Sequence, residues 1–446
     1  MIENVPMIGP ATYFTPEHKA ALDPRTRALV DRRDAVLSPG YRLFYDHPLE
    51  FVRGSGTKLY TRDGTEYLDV YNNVPSVGHS HPRVTAAIAE QSALLNTHTR
   101  YVHEGLIEYA EVLLDSFTPG LDTLTLVCTG SEANDLALRV AKQATGHRGV
   151  IVTENAYHGV TTEIAAISPS LGGDDALADW VRTVRPPIDD GTAMLADART
   201  AIADLQAAGH GVAALIVDTA FASDGFIAPS PGTRAALAEV RQLVHAAGGV
   251  LIADEVQPGF GRLGLRSGEP GLWGLCHHDL TPDLVTIGKP MANGLPVAGL
   301  VARRELMSTF GARVRYFNTF AGTPVSVAAA RATWHVLHDE NLPEHAAIIG
   351  DELLARLSEL ESRHPRLRAA RGQGLYLAVD VVDPESSEPD TETAVAIVSA
   401  LRERRILISA SGRHNTALKI RPPLPFSHAD VDRFATELDI TVRDLD

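Results

Sequence analysis

Short apolar runs alternate along this chain with longer stretches in which apolar residues recur every three or four positions. Leu124–Cys128, Val150–Val152, Ala214–Asp218, Val250–Ala253, Leu284–Ile287 and Ala298–Val301 are continuous enough to be strands covered on both faces. Between them Asn134–Ala144, Val325–His338 and, more loosely, Thr233–Ala247 carry the helical period. Buried strands separated by helices predict an α/β fold with a mostly parallel sheet, and ligands then collect beyond the carboxyl ends of its strands.

The two ends of the chain carry a different pattern. Residues 1–65 are rich in Pro, Gly and charge, with strand-like pieces at Lys58–Thr61 and, just beyond, Tyr67–Val70. After about residue 335 come helical patterns at Ala346–Glu361, Thr391–Arg404 and Ala429–Leu438, and short strands at Leu375–Val381 and Ala417–Arg421. The expected division is an N-terminal segment (1–65) joining a small α+β domain (331–446), with a large domain (66–330) between them in sequence. Ser427 followed by Asp430 predicts a capping box opening the last helix. The polar stretch Asp383–Thr393 is expected to be a surface loop.

Composition narrows the partners. With 446 residues, 44% hydrophobic, and a formal net charge of −16 uninterrupted by a basic stripe, the chain is expected to bind small molecules and not nucleic acid. Any anion must be held by a local site working against the global field. Two cysteines, Cys128 and Cys276, cannot form a disulfide framework at this length, so a cytoplasmic location is expected. The opening MIENVPMIGPATYF lacks the basic start and apolar run of a signal peptide. No stretch approaches the roughly 18 apolar residues of a membrane span.

The candidate chemistry begins at Lys289, immediately after the strand Leu284–Ile287 and Gly288. A buried lysine is costly unless neutralised or paired, and the neutral amine is a good nucleophile toward carbonyls. The strand Val250–Ala253 runs straight into Asp254, a position from which a carboxylate can pair with a protonated pyridine nitrogen. Thr129-Gly130-Ser131-Glu132-Ala133-Asn134 lies between a strand and a helix, where small residues and free N–H groups suit a phosphate. Tyr157-His158-Gly159 follows the next strand, and its aromatic ring could stack on a flat ligand.

Two apparent motifs are set aside. Gly259-Phe-Gly261-Arg-Leu-Gly264 matches the dinucleotide fingerprint, but Leu265–Gly271 cannot open the helix that would receive a pyrophosphate. Cys276-His277-His278 and His79-Ser80-His81 lack partners at metal-ligand spacing, so no metal site is expected.

Six segments, in order, resemble the class III aminotransferases, pyridoxal 5′-phosphate (PLP) enzymes of fold type I. They are GHSHP (Gly78–Pro82), TGSEAND (Thr129–Asp135), AYHG (Ala156–Gly159), DEVQPGFGRLG (Asp254–Gly264), GKPMANG (Gly288–Gly294) and NTFAGTP (Asn318–Pro324). The resemblance implies a large domain with a mostly parallel sheet plus a smaller α+β domain. It implies that Lys289 carries PLP as a Schiff base and moves protons, and that Asp254 binds the ring nitrogen. It further implies that Gln257 sits near the ring hydroxyl, and that Tyr157 and Val256 flank the ring. Gly130, Ser131 and Thr319 would hold the cofactor phosphate, Thr319 from a neighbouring subunit, which implies a homodimer with interfacial active sites.

Within the family, Asn72-Asn73-Val74, LNTHTR (Leu95–Arg100), GSEANDLALR (Gly130–Arg139) and FNT (Phe317–Thr319) resemble the ethanolamine-phosphate phospho-lyases. The family's usual R-x-x-P-P-L arginine is here Lys419, in Lys419-Ile-Arg421-Pro-Pro-Leu424. An arginine fork suits carboxylates, whereas a lysine point charge also suits phosphate. Leu295 and Thr323 depart from the branch, where His and Asn are usual. The expected reaction is elimination of phosphate from a short phosphorylated amine, with Arg100, Lys419 and Arg421 as candidate phosphate cations. The alternatives are transamination of an amine or amino acid to an oxo acid, and a non-catalytic binding protein that intact Lys289, Asp254 and Thr319 argue against.

Overall fold

The structure, a computed structural model, describes residues 13–172, 177–188, 190–266 and 271–445. Most of the segment read as lacking a targeting signal lies outside the described residues, as do residues 267–270 of the stretch after Gly264. Among the described residues no helix is long and apolar enough to cross a membrane.

The apolar runs form one seven-stranded sheet, in the order Thr123–Val127, Ala298–Ala302, Leu284–Ile287, Val250–Asp254, Val212–Asp218, Gly149–Thr153, Val181–Val184. Its last five strands are mutually parallel, and Ala298–Ala302 runs antiparallel to both its neighbours. Both faces are covered, as the lack of polar alternation requires. Ala214, Ile216 and Ile252 enter one apolar core with Leu136 and Val140 of the helix Gly130–Thr145. Leu215, Val217 and Leu251 point into the other core, with Leu237 and Val240 of the helix Pro231–Ala246.

Two four-stranded sheets flank this body. One joins Phe51–Ser55, Lys58–Thr61 and Glu66–Asp69 to Ile406–Leu407, which pairs in parallel with Glu66–Asp69. The N-terminal segment is thus tied to the C-terminal part of the chain, and its sheet continues past residue 65 to Asp69. The other is antiparallel, in the order Leu367–Gln373, Tyr376–Val381, Ala417–Ile420, Ser409–Ser411. The capping box at the last helix is present: Asp430 N–H donates to Ser427 Oγ (3.2 Å) and Ser427 N–H donates to Asp430 Oδ2 (3.0 Å).

Some elements differ from expectation. The helix expected from Asn134 begins at Gly130, and the expected loop Asp383–Thr393 passes into a helix at Thr391. Pro24–Val36 is a helix that the period did not reveal, because only Val30 of it is buried. Thr192–Ala207 escaped the pattern because it packs with Met194, Ala198, Ala201 and Leu205, half of them small. The fingerprint-like glycines serve packing. A Cβ on Gly261 would meet Pro343 at 2.6 Å and one on Gly264 would meet Ala347 at 2.8 Å. Arg262 between them is buried and donates to the carbonyls of Leu375 (3.0 Å) and Pro422 (2.7 Å).

Candidate active site

Strand register assembles the site. Asp218 lies beside Asp254, and Asp254 beside Thr286, across three parallel strands whose carboxyl ends are therefore level. Lys289 follows three residues after Thr286, at a positive φ of 33° that is strained for a residue with a side chain. These ends open into a cavity of about 260 Å³ lined by Gly130, Ser131, Tyr157, Asp254, Gln257 and Lys289, among others.

Asp254 is buried and fully engaged. Its Oδ2 accepts from Asn134 Nδ2 (2.9 Å) and His158 Nδ1 (2.8 Å), and its Oδ1 from the Val256 N–H (3.0 Å). His158 Nδ1 carries the proton in this contact, because an ionised carboxylate only accepts. Asn134 is itself oriented, donating also to the His158 carbonyl (2.8 Å) and accepting from Thr286 Oγ1 (2.7 Å). Burial pushes the Asp254 carboxyl up, but the His158 hydrogen bond and charge, with help from Val256 and Asn134, hold it below its ordinary value. An anion is therefore built into the cavity wall before any ligand arrives.

Lys289 is opposite in character. Burial pushes its amine below the ordinary lysine value, Asp254 opposes this, and Arg421 adds to it. Asp218 is pushed up to about 6 by burial and by the charge of Asp254. Its oxygens accept from the Ala220 N–H (2.9 Å) and the Ala222 N–H (3.2 Å).

The phosphate-shaped corner comes from the start of the helix Gly130–Thr145. Thr129, not Ser131, is its cap: the Glu132 N–H donates to Thr129 Oγ1 (3.2 Å), and Glu132 accepts from the Cys128 (2.7 Å) and Thr129 (3.2 Å) N–H groups. Ser131 is thereby left to accept from the Val160 N–H (3.1 Å). A Cβ on Gly130 would meet Val256 at 2.8 Å, and one on Gly159, at φ 135°, would meet Ser131 Oγ at 2.3 Å. Only glycines allow this close approach of backbone to the cavity.

Behind Gln257 lie the two C-terminal cations. Arg421 Nη1 donates to Gln257 Oε1, while Gln257 Nε2 reaches Asp218 Oδ2 at 3.5 Å. The Arg421 guanidinium also sits 4.6 Å from the centre of the Tyr71 ring. Lys419 is 9% exposed, and its amine is driven well below the ordinary lysine value by burial and then by the charge of Arg421.

Two expected site residues stand apart within one chain. Arg100 stacks on Phe317 (3.8 Å) in a separate groove of about 610 Å³, so its own chain does not bring it to the Lys289 cavity. Thr319 is exposed, beside Glu132 and Arg139. Three residues of the site were not picked out from sequence: Asn134 and His158, which hold Asp254, and Asp218. The first two stand inside quoted motifs, and Asp218 ends a buried strand just as Asp254 does, so the same signal was available. The histidine clusters are satisfied by ordinary partners. His79 bonds Asp69 (2.7 Å), His277 bonds Gln373 (2.6 Å) and His278 bonds the Thr219 carbonyl (2.8 Å). Among the described residues no group of three or more His, Cys, Asp or Glu could hold a metal.

The cavity fits PLP. A buried, ionised carboxylate shares the cavity with a half-buried amine of lowered basicity, and a helix N-terminus with a glycine cradle supplies donors for a phosphate.

Comparison with known proteins agrees. The family described as aminotransferase class-III matches residues 44–442. The Caenorhabditis elegans protein named ethanolamine-phosphate phospho-lyase homolog 1 is 36% identical, over 97% of this chain and 97% of that one. A Drosophila melanogaster alanine–glyoxylate aminotransferase 2-like protein is also 36% identical, over 90% of this chain and 84% of its own. Among solved structures, an Arthrobacter phospholyase in complex with phosphoethanolamine is 41% identical with a TM-score of 0.89, covering 94% of this chain and 100% of that one. A Toxoplasma gondii ornithine aminotransferase, 23% identical with a TM-score of 0.78 over 96% of this chain and 97% of its own, shares the expected fold type I. A family match across nearly the whole length, with relatives at 36% identity aligned almost end to end, makes this chain a member of the class III aminotransferases, enzymes that work with PLP.

Proposed function

We propose that this chain is a phospho-lyase that eliminates phosphate from a short phosphorylated amine such as phosphoethanolamine, giving an aldehyde, ammonia and phosphate. The observation that carries the reading is Lys419 and Arg421, buried behind the cavity with no carboxylate ion-pair partner among the described residues. Unpaired cations of this kind are costly to bury, and a dianionic substrate group compensates them. The similarity to phospho-lyases of the worm and Arthrobacter proteins supports the same substrate class.

When bound, PLP supplies an electron sink for the carbon that bears the substrate amine. Asp254 would offer a fixed negative charge to the ring nitrogen, and Tyr157 and Val256 would flank the ring. Lys289, held weakly basic by burial, takes the proton from the amine-bearing carbon. Lys419 and Arg421 receive the phosphate as the C–O bond at the neighbouring carbon breaks. Water then converts the two-carbon remainder to aldehyde and ammonia. Arg100 remains a candidate phosphate cation only across a subunit boundary, since its own chain places it in the other groove.

We place the active site in a homodimer. Phe317 and Phe320, which flank Thr319 in sequence, are exposed, as is Tyr101, joined to Phe317 through the His98 ring, and Thr319 of the partner subunit would reach the cofactor phosphate. Both cysteines are free thiols, which supports a reducing compartment such as the cytoplasm.

The second reading, transamination, is favoured by the aminotransferase name of the equally similar Drosophila relative. Mixing PLP-loaded protein with phosphoethanolamine alone separates the two. Release of phosphate and aldehyde without an oxo acid is expected; no release, with conversion of the cofactor to its amine form, would establish the transaminase.

Lys419→Met tests the cation directly. The KM for phosphoethanolamine should rise about tenfold or more. The melting temperature should meanwhile rise by a few degrees near neutral pH. The sign follows from linkage: with the folded pKa of Lys419 lowered, the unfolded chain binds the proton better, and below the ordinary lysine value this proton favours unfolding. An unchanged KM would remove Lys419 from the substrate site.

A further inference from the structure

We propose that Tyr376 is a further substrate-positioning residue, whose hydroxyl donates a hydrogen bond to the substrate phosphate alongside Lys419 and Arg421. The proposal rests on the phospho-lyase reading and extends it to a residue on a different strand.

The argument begins with register. Ala378 lies opposite Lys419 and Leu377 opposite Ile420 in the antiparallel pair Tyr376–Val381 with Ala417–Ile420. Side chains alternate along a strand, so Tyr376 and Ala378 share the face that carries Lys419. That face looks toward the large sheet: Tyr376, Ala378 and Ala417 pack with Ala220, Ala222 and Phe226, in the segment that follows Asp218. Asp218 lines the Lys289 cavity, so this packing sets the face against the segment that leaves the cavity wall.

Tyr376 is held rigidly there. Its ring stacks on Phe226 at 5.2 Å and 19°, and the Lys419 amine lies 5.9 Å from the ring centre. Its hydroxyl is buried, in a residue only 1% exposed, and has no hydrogen-bond partner among the described residues. A buried hydroxyl without a partner leaves its desolvation uncompensated, and phenylalanine would pack equally well if the ring alone mattered. The neighbouring donors show the same imbalance. Arg421 Nε is buried without a partner, and so are Nε and Nη2 of Arg262, whose Nη1 ties the Leu375 carbonyl next to Tyr376 to the Pro422 carbonyl next to Arg421. Several donors without partners among the described residues, in a chain of net charge −16, suit an oxyanion, while the nearby Asp218 carboxylate accepts from the Ala220 and Ala222 N–H groups. Ala378, directly across from Lys419, adds no polar atom to that face.

The test uses holoenzyme and its Tyr376→Phe variant, with inorganic phosphate binding by calorimetry and steady-state kinetics on phosphoethanolamine. The expected result is about a tenfold or greater loss of phosphate affinity and a similar rise in KM. The melting temperature should be unchanged or higher, and the affinity for unphosphorylated ethanolamine unchanged. A structural role alone would lower the melting temperature and leave the two amines equally affected, overturning the proposal. If wild-type protein releases phosphate from phosphoethanolamine and the variant matches it in KM and phosphate affinity, Tyr376 is excluded while the phospho-lyase stands. If wild-type protein releases none, yet Tyr376→Phe still weakens inorganic phosphate binding, the lyase reading fails and the anion-binding role of Tyr376 holds. Wild-type protein that neither binds phosphate nor releases it overturns both.

Discussion

On the proposed mechanism, Lys289→Ala is expected to lower the rate of phosphate release from phosphoethanolamine by at least about 10⁴-fold, because it removes both the proposed covalent anchor and the proposed base. No neighbour can replace it. Lys419 is also a buried amine of lowered basicity, but it belongs to the cationic face behind Gln257 and does not line the cavity. The loss should therefore fall on kcat. Borohydride reduction followed by mass spectrometry gives a second readout: wild-type protein should keep a covalently attached cofactor and the variant none. The variant should still bind PLP through Asp254, the glycine cradle and the helix N-terminus, so retained binding without attachment separates chemistry from misfolding. A variant that kept its rate would remove Lys289 from the mechanism.

Asp254→Asn should cost about 10²–10³-fold in kcat with the fold intact. The substitution preserves shape while removing the charge proposed to face the ring nitrogen. It also sets an amide against the His158 Nδ1–H and the Asn134 amide, both of which now donate to Oδ2. Because the wild-type carboxyl is held below its ordinary value, Asp254 stays ionised throughout the neutral range and should contribute no acid limb to the pH profile above about pH 4. Substituting His158 with Phe should raise the Asp254 pKa and bring such a limb into view. An Asp254→Asn enzyme with normal kcat would show that the charge plays no part.

How much of this was legible beforehand depends on the range of the information. The apolar runs Leu284–Ile287 and Val250–Asp254 are local, and a continuous apolar stretch has few folds available other than a strand buried on both faces. The residue that ends such a strand is equally local, which is why Lys289 and Asp254 could be named from their positions. The capping box at Ser427 and Asp430 spans one helical turn and was visible for the same reason.

Tertiary structure decided what lies between distant segments. Asp218 becomes part of the site only because its strand lies beside Val250–Asp254 in a register that levels their ends. Asn134 and His158 become the holders of Asp254 across 120 and 96 residues of chain. Arg100 and Arg421 are both arginines near quoted motifs, yet one stacks on Phe317 in a distant groove while the other reaches Gln257. By itself, then, the sequence determined the strands, their terminal lysine and aspartate, and the family. Only the tertiary structure decided which charges stay unpaired and which groups line the cavity, because ion pairing and desolvation depend on neighbours brought together by strand register and not by sequence distance.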